Sequence, residues 1–271
     1  AASYMNIPLA HIQGGEVTGN IDEKVRHAIT KLADYHFVAS ESAKERVIKL
    51  GEDPNMVFNT GCPSIDLAEE VIIGKTLPFD PYEKYGGVGA KPNLNNGYLV
   101  VMQHPVTTEY KDSRKHVEAT LKAIYKLQKP TLWFWPNVDA GADGTSTGIR
   151  SFREKNELPN VHFFKNMEGE DFLQLLQNSL CLIGNSSVGI RECAYLGVPV
   201  INIGSRQNRR EQAENVINVN YCQEKIEEAI ITALDKGKSI PSTIYGEGNS
   251  GEKIAKLLGG LPLQFHKTIM Y

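Results

Sequence analysis

Between His11 and His27 the sequence places three carboxylates (Glu16, Asp22 and Glu23), Arg26 and two histidines within seventeen residues. Gly14, Gly15 and Gly19 make the first half of this stretch a flexible loop, and the second half reads as the start of a helix that presents Arg26 and His27. Neighbouring carboxylates and cations push one another's proton affinities apart, which is what acid–base chemistry needs. Two of the acids have a plainer use, Asp22 as an N-cap and Glu23 as a first-turn acid. The whole set is still more than a cap requires.

A second concentration of chemistry lies in Leu180–Ile203, LCLIGNSSVGIRECAYLGVPVINI. It reads as strand, tight polar turn, helix, Gly-Val-Pro turn, strand. The turn Gly184-Asn185-Ser186-Ser187 would sit at the carboxyl end of a strand and open a helix, where amide groups and the helix dipole favour phosphate. Ser186 and Ser187 offer hydroxyls to a diphosphate, or simply cap the helix. Glu192 is placed to meet the hydroxyls of a ribose. Arg206, Arg209 and Arg210 follow the next strand and suggest an anionic ligand, although an arginine cluster is often only a solvated face. His104 ends another apolar run, with Pro105 setting its backbone direction. Asn137, in Asn137-Val138-Asp139-Ala140-Gly141, is equivalently placed after the run that follows, and a plain turn explains it as well.

These residues need elements to hold them. Apolar runs, each closed by a turn or polar residue, recur at Ile7–Ile12, His36–Ala39, Met56–Thr60, Tyr98–Gln103, Thr131–Trp135, Val161–Phe164, Leu180–Ile183, Val200–Ile203 and Val216–Val219. Such runs suit strands buried on both faces of a parallel sheet. Helical patterns fall between them: Ser40 to Gly51, Ser113–Leu127, Glu170–Leu176, Val188–Leu196, Gln223–Leu234 and Ser250–Leu258. Alternation of the two predicts an α/β chain with doubly wound parallel sheets. Proline and glycine crowd Gly74–Gly97, which predicts a linker there. The expected organisation is residues 1–80 as the later part of a first lobe, 81–97 as linker, 98–250 as a complete second lobe, and 251–271 as a helix and tail packing back toward the first.

Composition limits the partners. With 29 Lys+Arg against 32 Asp+Glu in 271 residues, the formal charge of −3 argues against nucleic acid and anionic membranes as ligands. No apolar run approaches the ~18 residues of a membrane span. Cys62, Cys181, Cys193 and Cys222 are scattered without a CxxC pair, which reads as reduced thiols in a cytoplasmic protein and not as a zinc site. A symmetric homodimer is the default expectation.

Taken in order, the motifs HIxGGExxGxIDExxRHAITKLADYH, TGCPSID, QHPVTT, PNVDAG, GNSSxGxRE, GxPVINIGxRQ and IYGxGN cover the chain from residue 7 almost to its end. Together they resemble the hydrolysing UDP-N-acetylglucosamine 2-epimerases, which open the synthesis of sialic acid-type sugars. The resemblance implies a GT-B-like fold of two Rossmann-like lobes with the substrate in their cleft. It also implies a reaction without metal or cofactor on UDP-N-acetylglucosamine or a UDP-2,4-diacetamido-trideoxyhexose. That sugar loses its C2 proton and expels UDP, and water adds to the resulting glycal to release a sugar inverted at C2. Carried onto this chain, Ser186, Ser187, Glu192 and Arg206 are similar to UDP-binding residues, and His104 to a histidine beside the diphosphate. Asn137 matches a position near the nucleotide and Met167 one whose backbone holds uracil. Asp22 and Arg26 match the loop where the family places catalytic and substrate-contacting groups.

Two departures stand out. Where many members have Glu in HIEGG, this chain has Gln13, which exchanges no proton at neutral pH. Either Glu16 or Asp22 then serves instead, or the carboxylate role is lost. The chain also begins at Ala1 with a segment resembling the tail of a helix, and the family's opening strands and a catalytic Asp would precede it, so roughly a domain's worth of chain, ~100 residues, is expected in front. A non-hydrolysing 2-epimerase, a GT-B glycosyltransferase and a non-catalytic UDP-binding fragment remain as alternatives, separable by whether free sugar, an acceptor product or neither accompanies UDP.

Overall fold

The computed structural model describes residues 1–18, 22–72 and 77–270. They form two compact units, one of Ala1–Glu70, Arg209–Glu211 and Thr243–Tyr271, the other of Val71–Asn208 and Gln212–Ser242.

The smaller unit is built on three parallel strands, β1 (Ala10–Ile12), β2 (Tyr35–Val38) and β3 (Val57–Asn59), in that spatial order. Helices α1 (Asp22–Leu32), α2 (Glu41–Lys49) and α3 (Pro63–Glu70) connect or follow them. Every residue of β2 is buried. Val38 packs with Ala43 and Val47 of α2, while Tyr35 and Phe37 pack with Ile254 of the C-terminal helix, so both faces of the sheet are covered. The α2 helix starts where Ser40 accepts from the Ala43 amide (3.3 Å). Asp66, on α3, accepts from the amides of Ser250 (2.8 Å) and Gly251 (2.7 Å), a carboxylate supplied across space to the start of the C-terminal helix.

The larger unit holds α4 (Pro81–Tyr85), β4 (Val88–Gly89), β5 (Leu99–Met102), α5 (Ser113–Leu127), β6 (Thr131–Phe134), α6 (Ala142–Lys155), β7 (Val161–Phe164), α7 (Gly169–Gln177), β8 (Cys181–Gly184), α8 (Glu192–Leu196), β9 (Val200–Ile203), β10 (Val216–Val219) and α9 (Gln223–Lys236). The C-terminal helix, α10 (Ser250–Gly260), completes the element order in the smaller unit. The seven-stranded sheet runs β10-β9-β8-β5-β6-β7-β4, parallel except for the β4–β7 pair. Val101, Trp133, Phe163, Ile183 and Ile201 from five strands share one core with Val117, Leu121, Ile149, Ile226 and Ile230 from α5, α6 and α9. Each fully buried side chain of this size contributes ~1.5–3 kcal/mol of transfer free energy. From β5 the chain winds outward through β6 and β7, then returns to β8 on the other side and winds outward again through β9 and β10. The winding reverses between β5 and β8, and ligands of open α/β sheets bind at the carboxyl ends of such a pair.

All nine predicted strands form, to within a few residues. The segment expected as a linker differs: beyond residues 73–76, which lie outside the described residues, it carries α4 and the antiparallel strand β4, and the unit boundary falls at Glu70/Val71. Gly87 and Gly89 have positive φ, and a Cβ there would lie 2.5 Å from Phe163 O and 2.6 Å from Val161 O, so the glycines that spell a linker are those that let the chain lie against β7. The continuous helix expected over Val188–Leu196 is instead a 3₁₀ turn, Ser187–Gly189, followed by the five-residue α8, which leaves little macrodipole behind the Asn185–Ser187 turn. The opening residues Ala2–Met5 form a 3₁₀ turn.

Candidate functional site

In the larger unit the site grows out of the β5/β8 reversal. Gly184, with φ +138°, ends β8 so close to β5 that a Cβ would lie 2.0 Å from Met102 O. That approach lets Asn185 bracket the residue after β5: its Oδ1 accepts from the His104 amide (2.7 Å) and its Nδ2 donates to His104 O (2.9 Å). The His104 Nδ1 in turn accepts from the Asn137 amide at 3.2 Å. With Nδ1 accepting, the neutral ring carries its proton on Nε2. Burial, with Arg206 acting in the same direction and Asp139 against it, pulls the His104 pKa down to about 4. At neutral pH this histidine is therefore an uncharged hydrogen-bond donor.

One cation of the site is Arg206, whose Nη1 donates to Asn185 O (3.3 Å) and whose Nη2 lies 3.7 Å from Asp139. Gln207, 1% exposed, donates to the same carbonyl at 2.8 Å. Ser186 does cap the 3₁₀ turn, accepting from the Val188 amide (3.4 Å), whereas the Ser187 hydroxyl accepts from Arg191 (3.2 Å). Glu192 is buried, and among the described residues its Oε2 has no hydrogen-bond partner, with Arg191 Nε 3.7 Å away. A buried carboxylate oxygen in that state is costly unless a ligand donor reaches it. Met167 is buried on the loop that leads into α7. His104, Asn137, Ser186, Ser187 and Arg206 thus gather around Asn185, a residue that the sequence marked only as part of the turn.

In the smaller unit the Gly14-Gly15-Glu16 loop follows β1. Gln13 takes φ +64°, its amide donates to Phe37 O (2.8 Å) and its Nε2 to Cys62 Sγ (2.6 Å). Gly15 has φ +75° and a Cβ there would be 2.3 Å from Ala43 O, so only glycine lets the loop press onto α2. This close packing buries Glu16 to 5% exposure, where it forms an ion pair with Arg210, itself 8% exposed. Arg26 Nη1 donates to Glu16 O at 2.9 Å. Asp22 is exposed as the first residue of α1, and Glu23 accepts from the Thr18 amide (3.3 Å) and faces His27 at 3.4 Å. Residues 19–21 of this loop lie outside the described residues. The three arginines after β9 are divided between the units: Arg206 belongs to the larger, while Arg209, which is exposed, and Arg210, which neutralises Glu16, belong to the smaller. Among the described residues no three His, Cys, Asp or Glu side chains converge as metal ligands, and no helix is long and apolar enough to cross a membrane.

A doubly wound parallel sheet with a polar, arginine-bearing site at its reversal point defines the class as a GT-B-like α/β protein. Within that class the chain belongs to the UDP-N-acetylglucosamine 2-epimerase family, whose model matches residues 1–259. It is 35% identical over 270 residues to the UDP-N,N'-diacetylbacillosamine 2-epimerase (hydrolyzing) of Legionella pneumophila, covering 100% of this chain and 68% of that protein. It is 31% identical over 256 residues to the UDP-N-acetylglucosamine 2-epimerase of Neisseria meningitidis, covering 92% of this chain and 64% of that protein. Among solved structures, the Methanocaldococcus jannaschii UDP-GlcNAc 2-epimerase in complex with UDP-GlcNAc and UDP matches with a TM-score of 0.75 and 20% identity, over 95% of this chain and 70% of that one.

Proposed function

We propose that this protein is a hydrolysing 2-epimerase acting on a UDP-linked 2-acetamido sugar. The observation that carries the nucleotide part is the larger unit's arrangement: Arg206, the two serines and an Nε2–H of a neutral His104 beside the reversal point, with the unsatisfied oxygen of buried Glu192. Arg206 and His104 would stabilise the diphosphate as its negative charge grows on leaving C1. Glu192 would accept from a ribose hydroxyl, and the Met167 loop and Asn137 would border the nucleotide. The likeness to the Legionella protein supports hydrolysis and a diacetamido sugar as one substrate to try.

For the proton taken from C2, the smaller unit favours Asp22 over Glu16. Glu16 is buried with its charge already matched by Arg210, whereas Asp22 is exposed at the start of α1, one helical turn before Arg26. A base there would remove the C2 proton as the C1–O bond to UDP breaks, leaving a 2-acetamidoglycal. Water then delivers hydroxyl to C1 and a proton returns to the opposite face of C2. Gln13, held by Cys62, takes no part in proton transfer and would hydrogen-bond the sugar.

The experiment offers UDP-N-acetylglucosamine and UDP-N,N'-diacetylbacillosamine separately, with no acceptor, and identifies the sugar by NMR. Free C2-inverted sugar with equimolar UDP is expected. A UDP-linked epimer would mark a non-hydrolysing enzyme, and UDP release only with an acceptor a glycosyltransferase.

A further inference from the structure

Beside Arg206 the larger unit holds a second polar cluster, made of Glu109, His116, Ser205 and Tyr221. Glu109 lies on the 3₁₀ segment Thr107–Asp112, which carries the chain from His104 into α5, and its φ of −119° breaks the helical run there. Its carboxylate accepts from the hydroxyl of Ser205, the residue before Arg206. Its other oxygen lies 3.9 Å from Nδ1 of His116, in the first turn of α5. The His116 ring stacks on Tyr221, which follows β10, with centroids 3.5 Å apart and planes within 2° of parallel. Gly204, directly after β9 and with φ +78°, presses on the same tyrosine so closely that its hydroxyl leaves no room for a Cβ. Burial first, then the Glu109 carboxylate, raise the Tyr221 pKa, so the phenol keeps its proton beside that carboxylate.

The cluster joins two loops that the sheet itself keeps apart. His104 follows β5 and Arg206 follows β9, and β8 lies between those strands, so the loops start two strand spacings apart, ~10 Å. No ladder hydrogen bond runs directly from β5 to β9, and side chains must set one loop against the other. Asn185 does so from the end of β8, while the Glu109–Ser205 bond spans the gap without β8. The loop after β6 closes on the same segment: a Cβ on Gly141 would lie 3.0 Å from Pro105 Cβ and 3.2 Å from Tyr110 Cβ. A negative charge near an anion site weakens anion binding on Coulomb grounds alone, so what Glu109 brings to a diphosphate is geometric.

We propose that Glu109 is a positioning residue of the diphosphate site: by holding Ser205 it sets Arg206, the next residue, in register with His104. The ligand is a nucleoside diphosphate, and the proposal rests on the nucleotide part of the reading above, not on the epimerase chemistry. Glu109 does not touch the ligand in this scheme. It acts through the loop that carries Arg206.

The test is calorimetry with UDP on the wild-type protein, E109A, E109Q, S205A and R206A, and on the doubles E109A/S205A, E109A/R206A and S205A/R206A. E109A and S205A should each raise the Kd about five- to tenfold, a usual coupling within one hydrogen-bond network. E109A/S205A should be no weaker than the weaker single variant, because both remove the same bond. E109Q keeps an acceptor oxygen for Ser205 and should stay within about twofold of wild type. Once Arg206 is gone, neither E109A nor S205A should cost more than about a further twofold, whereas general loosening of the fold would cost the full factor again. If E109A fails to fold, S205A and S205A/R206A carry the same comparison. An unchanged Kd in E109A and S205A, or the full loss persisting without Arg206, would overturn the proposal. Tighter UDP binding in both E109A and E109Q would overturn it as well, since the carboxylate would then act only as a charge. Failure of the wild type to bind UDP would overturn it together with the nucleotide reading. UDP binding that depends on Glu109, without UDP release from any UDP-sugar, would support the positioning role and sink only the epimerase reading.

Discussion

Arg206 and Ser187 are the side chains through which a diphosphate would act on this protein most directly, and both are already oriented, one by Asn185 O and the other by Arg191. Removing either loses a charge-assisted hydrogen bond, so R206A and S187A should each weaken UDP binding by ~1–3 kcal/mol. Calorimetry should therefore read a roughly 5- to 150-fold rise in Kd, and an unchanged Kd in both variants would remove the phosphate site from this loop. His104 makes a different prediction. Because its pKa is pulled to about 4, the ring stays neutral through the physiological range. UDP affinity between pH 5 and 8 should then show no break that disappears in H104N, whereas an ordinary histidine would place one near 6.5. The sequence exposed the types and order of these groups, because Gly-Asn-Ser-Ser and His-Pro each sit beside an apolar run. It did not expose the role of Asn185 in bracketing His104 or of Arg210 in neutralising Glu16, because both depend on residues 81 and 194 positions away. Separation in sequence hides such pairs when only local spacing is read.

At the scale of elements, close approach explains both what was legible and what was missed. Continuous apolar runs were sufficient for β2, β5, β6, β7, β8 and β9, all of which bury every residue or nearly so. Helix α6 escaped because Ala142–Lys155 contains Gly144 and Gly148, which weaken an isolated helix by roughly 1 kcal/mol each. In the fold those glycines face α5, where a Cβ would lie 2.3 Å from Ser113 Oγ and 2.7 Å from Val117 Cγ1. The residues that lower helix propensity are thus the ones that permit the helix to dock. Gly184 tests the same principle beside the site. Its φ of +138° and the 2.0 Å approach to Met102 O leave no room for a side chain, so G184A should destabilise the protein by at least about 2 kcal/mol in urea unfolding. It should also loosen the Asn185 bracket and weaken UDP binding in whatever fraction folds. Gly259 in α10 is the control: nothing lies within 4 Å of its added Cβ, and G259A should stabilise by about 0.5–1 kcal/mol. Equal effects from the two substitutions would deny close approach its part in shaping the β5/β8 end.

For the whole molecule, each unit carries a histidine whose pKa folding pulls down to about 4. In the larger unit this is His104. In the smaller it is His36, 1% exposed on β2, whose pKa burial lowers to about 4 despite the neighbouring Glu52 at 3.0 Å, with Lys267 and His11 reinforcing the effect. Glu52 is shielded by the same cluster: burial alone would raise its pKa, but Lys267 and Lys31 (2.6 Å) outweigh that and lower it. The cluster also fastens the C-terminal tail, since Lys267 donates to Thr30 O and Ala33 O at the end of α1 and the Met270 amide donates to Gly51 O (2.9 Å). The sign of the pH dependence follows from proton counts. Between pH 6.5 and about 4 the unfolded chain holds a proton on each histidine that the folded chain does not, so stability falls as pH is lowered through that window and the slope from these two groups vanishes below it. Each histidine accounts for about 3 kcal/mol at most across the full window. The Glu52 contribution is lost at lower pH, below the ordinary carboxylate value, where the unfolded chain takes up a proton that the folded chain does not, and the loss ends once the folded carboxylate is protonated too. Urea unfolding at pH 7, 5.5 and 4.5 should show this loss, and hydrogen exchange should place it in both units. In H36Q the pH sensitivity of β2 and the C-terminal tail should flatten while that of β5 and β8 persists, with H104N giving the converse. Stability that stayed level from pH 7 to 4.5 in the wild type would mean that neither imidazole is held neutral, and the uncharged Nε2–H donor assigned to His104 would have to be given up with it.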